Sequence, residues 1–348
     1  MTLLVRDEAD IVDAQIAFHL HAGVDFVVAT DNRSEDGTTE ILERYARAGY
    51  LHLIHEEGED MRQGEWVTHM ARMAATEFGA DWVINADADE FWWPRGGSLK
   101  DVLATVPERF GVVRGCWRHF LPRPDEGAFF AERMTVRLAT PASPGDKTTI
   151  FHAHQKVAHR AGSNVTIDAG NHDATGDGLE PIRAWHPIEV LHFSLRSLTQ
   201  LERKSVRDWR AWSRSPHGST LHQVLAYEAY RDGRLAEYYG SFVVDDRAVE
   251  RGVAAGTLEV DTRLREALRT LRDEGGEAFR LPAASRQLRF PRPDVREDAV
   301  YAGEASVLVE IDGIVRAERR LGSFERRVSE LERAPLVRLR ALRRLARP

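Results

Sequence analysis

Asn85-Ala-Asp-Ala-Asp-Glu90 follows an apolar run, Trp82-Val-Ile, and is the segment of this chain best suited to chemistry. Asp87 and Asp89, two residues apart where a strand gives way to a turn, can converge on one divalent cation. Hard carboxylate oxygens suit Mn²⁺ or Mg²⁺, which keep positions open for phosphate oxygens. Three neighbouring acids repel one another unless a cation or an arginine compensates them. An isolated D-x-D is often only a solvated acidic turn. This one gains weight from following a buried strand, in line with other polar strand ends.

The elements that must position it read as alternating strands and helices. Strands are expected at 2–5, 26–30, 51–54 and 82–85. Helices are expected at 8–22 (stopped by Gly23), over the stretch bearing Ile41, Leu42 and Tyr45, and at 62–78. This order predicts an α/β fold, a Rossmann-like parallel sheet with helices on both faces. Ligands of such sheets bind beyond the carboxyl ends of the strands. Those ends carry Arg6, Asp7 and Glu8, then Asp31 and Asn32, then His55 and Glu56, then Asp87 and Asp89.

Further along, strands are expected at 112–117, 134–138, 155–158 and 188–193. Ser197-Leu-Thr-Gln200 fits a capping box opening a helix that runs through Trp212. Past Val249 the chain turns to Arg- and Glu-rich amphipathic stretches with little strand character. Residues 280–300 read as a connector, and 323–348 as a helix interrupted at Pro335. Residues 1–245 are thus expected to form the α/β domain and 246–348 a helical extension.

The 348 residues are 43% hydrophobic and 30% charged with a formal charge of −7, which excludes a collagen-like or wholly disordered chain and disfavours general nucleic-acid binding. One cysteine, Cys116, leaves no internal disulfide or cysteine-based zinc site. No apolar run reaches membrane-spanning length, and no export signal opens the chain, so a cytoplasmic location is expected. Only four of the 48 basic residues are lysines: Lys100, Lys147, Lys156 and Lys204. Leu336–Arg347 alternates Leu and Val with arginines. It could pack as a terminal helix or lie on an anionic inner membrane face as a peripheral contact.

Several segments together resemble the GT-A glycosyltransferases, most of all glycosyltransferase family 2 and its relatives. They are Val5-Arg-Asp-Glu-Ala9, Gly23-Val-Asp-Phe26, Thr30-Asp-Asn-Arg-Ser-Glu-Asp-Gly-Thr38 and Asn85-Ala-Asp-Ala-Asp-Glu-Phe91. The resemblance covers residues 1–120 and implies a GT-A fold and a nucleotide-sugar donor. Asp31 and Asn32 would lie near base and ribose, with Arg6 and Glu8 at the same donor site, and Asp87 and Asp89 would bind ribose and the diphosphate-bridging metal. Asp31-Asn32 departs from the Asp-Asp of many family 2 members, which loosens the choice of base.

Val190-Leu-His-Phe193, with Arg196 and Lys204 beyond it, is similar to the late strand and loop of metal-dependent GT-A enzymes. The similarity implies that His192 completes the metal site and that Arg196 or Lys204 neutralises the leaving diphosphate. His172 is the alternative ligand. An inverting transfer needs a base for the acceptor hydroxyl. Asp173 is the candidate, with Asp125, Glu126 and Asp168 as alternatives. Lys156 is a candidate phosphate contact and Trp117 a candidate acceptor-sugar platform. His152 and His154 read as surface or strand positions, and Phe91-Trp-Trp93 as packing beneath the acidic loop.

The function expected is metal-dependent transfer of a sugar from a nucleotide-sugar to a hydroxyl acceptor, with inversion. A nucleotidyltransferase would be expected to carry a Gly-rich phosphate loop after the first strand, where Arg6-Asp-Glu-Ala-Asp10 has no glycine. A non-catalytic nucleotide-sugar-binding protein would show an incomplete acidic set.

Overall fold

The computed structural model describes the chain except residues 59–61, 143–148, 213–220, 273–277, 283–286, 312, 315–316, 318–320 and 322–348, and gives no side chains at 207–212. The expected helix at 323–348 and the basic segment within it lie outside the described residues. The N-terminal elements are β1 (Thr2–Val5), α1 (Val12–His21), β2 (Val27–Asp31), α2 (Thr38–Arg47), β3 (Leu51–His55), α3 (Gln63–Thr76) and β4 (Trp82–Asp87). After them come β5 (Glu90–Pro94), α4 (Leu99–Ala104), β6 (Val112–His119), α5 (Phe130–Arg133), β7 (Val136–Leu138), β8 (Gln155–Arg160), β9 (Thr166–Ile167), β10 (Ala174–Thr175) and β11 (Ile188–His192). Helices α6 (Leu198–Trp212), α7 (Leu221–Arg231), α8 (Leu235–Gly240) and α9 (Asp246–Ala254) precede β12 (Leu258–Val260) and α10 (Arg263–Leu271). Residues 295–311 are helical.

The α/β class is as expected. The sheet, however, is mixed rather than parallel throughout. Eight strands run in the order β3-β2-β1-β4-β8-β6-β11-β5. β1 is parallel to β2 and β4, and β6 to β11, whereas β8 runs against both β4 and β6, and β5 against β11. The carboxyl ends of β1, β2, β4, β6 and β11 therefore open on one edge, where the antiparallel β5 and β8 begin. The two-residue link Ala88-Asp89 runs from the end of β4 directly into β5, the last strand of that order, so the sheet curls to bring β5 close to β4. The acidic segment sits at this β4–β5 turn.

Phe91-Trp-Trp93, read from sequence as packing, is both packing and strand. Every residue of β5 is buried. Phe18 of α1 lies against Phe91 edge-on and Trp93 face-on, at 5.5 and 5.8 Å between ring centroids. Trp92 is fully buried. Its amide donates to His19 Nε2 at 3.1 Å, and His19 Nδ1–H is spent on Gln15 O at 2.8 Å. Burial pushes the His19 imidazole down to about 3, so it stays neutral.

α1 starts later than the apolar spacing predicts, because the backbone before it is held elsewhere. Glu8 N–H donates to Thr38 Oγ1 and Ala9 N–H to Asp36 Oδ2, at 2.9 and 3.1 Å. At the other end Gly23 adopts φ 113°, the conformation that stops the helix, and a Cβ there would lie 3.1 Å from the Lys100 amide. Ser197 caps α6 as expected, accepting from Gln200 N–H at 3.1 Å, but the Gln200 side chain turns to Ser194 O rather than closing the box.

Residues past 245 contribute to the same structure. β12 pairs with β7, a strand where little strand character was expected, and Leu264, Leu268 and Leu271 of α10 join the main core beside α1. Buried Glu189 on β11 ties these parts together through Arg118 at 3.1 Å, Arg95 at 3.4 Å and Arg263 at 2.8 Å. Burial opposes its ionisation, but the three guanidiniums hold it down to about 2. No described helix is long and apolar enough to cross a membrane.

Candidate active site

A cleft of about 340 Å³ opens on the carboxyl edge of the sheet. Its floor carries Arg6 and Glu8 from the end of β1, Asn32 after β2, and Asp87 and Asp89 around the β4–β5 link. Trp117 of β6, Lys156 of β8 and His192 of β11 complete it. Lys204 and Ser205 of α6, Ala226 of α7 and Tyr238 of α8 form the roof. Leu201, Ala226, Leu235 and Tyr239 of these helices share one buried cluster with Leu121, Val136 and Phe151, which seats the roof on the rest of the structure.

The two aspartates of the acidic segment face different partners. Asp87 accepts from Asn171 Nδ2 at 2.9 Å and pairs with the buried Lys156 ammonium. That ammonium also lies 2.9 Å from Glu90 Oε1, an atom that accepts from Trp117 Nε1–H at 2.7 Å. Burial pushes the Glu90 carboxyl up; Lys156 opposes this, and the Asp87 and Asp89 charges add to the rise. For Lys156 burial lowers the value, and the two carboxylates more than reverse it, keeping the ammonium charged. Glu90, quoted in the motif without a role, is therefore the anchor beneath the floor.

Asp89 sits on the other side of the link. Its Oδ1 is 3.7 Å from His192 Nε2 and its Oδ2 is 3.5 Å from Lys204 Nζ. Burial would raise this carboxyl, yet Lys204, His192 and Arg196 together hold it well below the usual range. Asp89 is thus a buried, ionised acid with a cation beside it. Among the described residues no three His, Cys, Asp or Glu side chains already form a cation cage. Asp89 and His192 supply a pair, and Asp87 is turned toward Lys156.

Three residues expected at the donor or acceptor do not line the cleft. Asp31 accepts from Ser34 N–H at 3.1 Å, from Ser34 Oγ at 2.7 Å and from Thr39 Oγ1, so it staples the turn after β2 rather than meeting a ribose. Arg196, fully buried, is spent on Glu8, on Asp10 at 2.6 Å and on Phe193 O at 3.1 Å. It braces the floor from below. Asp173 faces Arg114 at 3.4 Å and accepts from its neighbour Ala174 N–H at 3.2 Å, away from the cleft wall. Asn32 does reach the cleft, but its amide donates to Gly58 O at 3.0 Å and Glu56 O at 3.3 Å, and its Oδ1 faces Arg6 at 3.5 Å. Trp117 reaches it too. Its ring is stacked on His192 at 4.2 Å and lies 5.2 Å from Lys156 Nζ, so it supports the site instead of offering an open face to a sugar.

Of the histidines near the cleft, His119 was not singled out in the sequence, and His152 and His154 were read as surface or strand positions. His152, His154, His172, His119 and His192 all pack around Trp117, with centroids 4.2 to 6.2 Å from its ring. His152 and His172 line the cleft. The available signal was strand alternation: Trp117 and His119 share a face of β6. Three non-glycine residues with positive φ, Asp7, Arg33 and Asn171, each adjoin a cleft residue. Left-handed backbone at such positions concentrates at functional sites.

Comparison with known proteins bears on this edge of the sheet. Residues 4–110, under a third of the chain, match Glycosyltransferase family 92. No curated protein matches the sequence. Among solved structures, S. aureus TarS 1-349 has 13% identity over 84% of this chain and 96% of that one, with a TM-score of 0.28. Its complex with UDP-GlcNAc has 11% identity over the same shares, with a TM-score of 0.33. Superpositions this loose carry no weight beside the strand order itself. The family match gives family 92 where the motifs suggested family 2, and the matched segment includes Arg6, Glu8, Asn32, Asp87 and Asp89 of the cleft floor.

Proposed function

We propose that this protein moves a sugar from a nucleotide-sugar donor to a hydroxyl acceptor, with Mn²⁺ or Mg²⁺ accompanying the donor diphosphate and inversion at the anomeric carbon. The observation that carries it is the ionised Asp89 between His192 and Lys204, Asp89 itself lying in the segment that matches a glycosyltransferase family. The donor set fits such an ion. A carboxylate oxygen and an imidazole nitrogen 3.7 Å apart lie within the span of two ligands that each sit about 2.1 Å from one centre. Asp89 and His192 would hold the ion, with Asp87 joining when its lysine turns to the diphosphate. The ion would neutralise charge developing on the departing nucleotide.

The chain's own groups supply the rest. Lys204 reaches the cleft from the roof and is placed to leave Asp89 for a phosphate oxygen, while Arg6 adds a second cation at the end of β1. Lys156 holds Asp87 until anionic oxygens compete for it. For the acceptor proton, His172 takes the place expected of Asp173. Its Nδ1–H is directed to Gln155 O at 2.8 Å, which makes Nε2 the basic nitrogen. The glycosyltransferase family 2 likeness, the cytoplasmic location and a peripheral membrane contact through Leu336–Arg347 belong to this proposal as well. Liposome co-sedimentation with and without residues 335–348 tests the last of these.

Titration of UDP-, GDP- and dTDP-sugars with and without Mn²⁺ tests the central reading. Metal-dependent binding of one donor, lost in Asp89→Ala, is expected. Absence of any metal-dependent nucleotide binding, or unchanged binding in Asp89→Ala, would sink it.

A further inference from the structure

His119 and His192 are register partners on neighbouring strands, and their Nδ1 atoms lie 3.1 Å apart. Two ring nitrogens at that distance share one proton, and their surroundings decide which ring carries it. His119 Nε2 lies 2.8 Å from the backbone oxygen of His152. A carbonyl only accepts, so His119 Nε2 bears the hydrogen. With one proton shared between the two Nδ1 atoms and the His119 hydrogen on Nε2, His119 Nδ1 is a lone pair and His192 donates its own Nδ1–H to it. His192 Nε2 is then unprotonated, and it is the atom on the Asp89 side. Trp117, stacked on His192 with 18° between ring planes, keeps the imidazole from turning over.

We propose that His119 is a positioning residue: it fixes His192 as the Nδ1–H tautomer and so turns the basic Nε2, beside the Asp89 carboxylate, toward the cation that accompanies the donor. This inference rests on the donor-site reading above. Without His119 the His192 ring is free to place its proton on Nε2, where a hydrogen bond to Asp89 would consume both ligands at once. Residues that orient a metal-binding histidine from behind affect metal affinity by about 10- to 100-fold.

The full chain, labelled with ¹⁵N, reports the His192 tautomer directly in long-range ¹H–¹⁵N spectra without any metal. The wild type is expected in the Nδ1–H form, and finding the Nε2–H form overturns the proposal. His119→Asn places an amide oxygen close to where Nδ1 stood and should keep both the tautomer and the Mn²⁺ affinity within about threefold. His119→Phe offers no acceptor and should lose the tautomer preference, with Mn²⁺ affinity falling about 10- to 100-fold. A His119→Phe protein with the wild-type tautomer and Mn²⁺ affinity within twofold also overturns it. If that variant does not fold, the wild-type spectrum and His119→Asn still decide. A wild type with the expected tautomer that binds neither Mn²⁺ nor nucleotide overturns the donor-site reading and the positioning role with it, and the intact tautomer shows which premise failed.

Discussion

The Lys156 ammonium lies 2.9 Å from Glu90 Oε1, with both side chains almost wholly removed from solvent. The same ammonium pairs with both Glu90 below and Asp87 at the cleft surface, so one cation serves two carboxylates. The arrangement couples the stability of the floor to the charge of the site above it.

Lys156→Met is therefore expected to destabilise the protein by about 3–5 kcal/mol, because it leaves buried carboxylate without its partner. Adding Glu90→Gln should recover part of that loss. Denaturant titration of the single and double variants measures both. A Lys156→Met protein as stable as the wild type would mean the pair carries no such cost.

Lys204 makes a different contribution. Its side chain is a third exposed and its contact with Asp89 is long, so Lys204→Ala should change stability by less than about 1 kcal/mol. Donor binding should weaken by about tenfold or more, since a charge-assisted contact to phosphate is lost. Isothermal titration beside a thermal melt separates the two effects.

Asp173 and His172 are adjacent in sequence yet differ in place. Asp173→Asn should leave turnover within a few-fold of wild type, whereas His172→Ala should lower it by about a hundredfold or more, the usual scale for a removed general base. Steady-state rates at saturating donor and acceptor distinguish them. Equal effects would remove His172 from the role given to it.

Acid should weaken the fold through His19. Its folded value is depressed to about 3, so between that and the ordinary value of about 6.5 the unfolded chain binds the extra proton. The stability it contributes is complete above about pH 6.5 and is lost as the pH falls toward 3, by at most about 1.4 kcal/mol per pH unit. His19→Gln should flatten the pH dependence of unfolding free energy in that window. The buried His159 and His119 contribute slopes of the same sign, so the variant reduces the slope without abolishing it.

Much of the fold was legible because its signals are local. The FVVAT and WVIN runs, the helical spacing before Gly23 and the polar strand ends placed β1 to β4 within a few residues of where they lie. β5 was missed because Glu-Phe-Trp-Trp-Pro is equally good as packing, and nothing local shows that it lines up against β11 across the sheet. Asp87, Asp89, Lys156, His192 and Lys204, singled out from residue type, position and family resemblance, line one cleft. Asp31 and Arg196 were expected at the donor and Asp173 as general base, but their side chains are held by other partners and do not line the cleft.

By itself, the sequence determined that alternating strands and helices would present a polar edge, and that an acidic pair would lie on it. Alternation every two residues and helical spacing of 3.6 are properties of short stretches of chain. Which charges face the cleft and which face one another was decided only by tertiary structure. Lys156 meets Asp87 across 69 positions and Arg196 meets Glu8 across 188, so these pairings follow from strand order and register. The same holds for His119 and His192, whose contact exists because β6 and β11 are neighbours in this sheet.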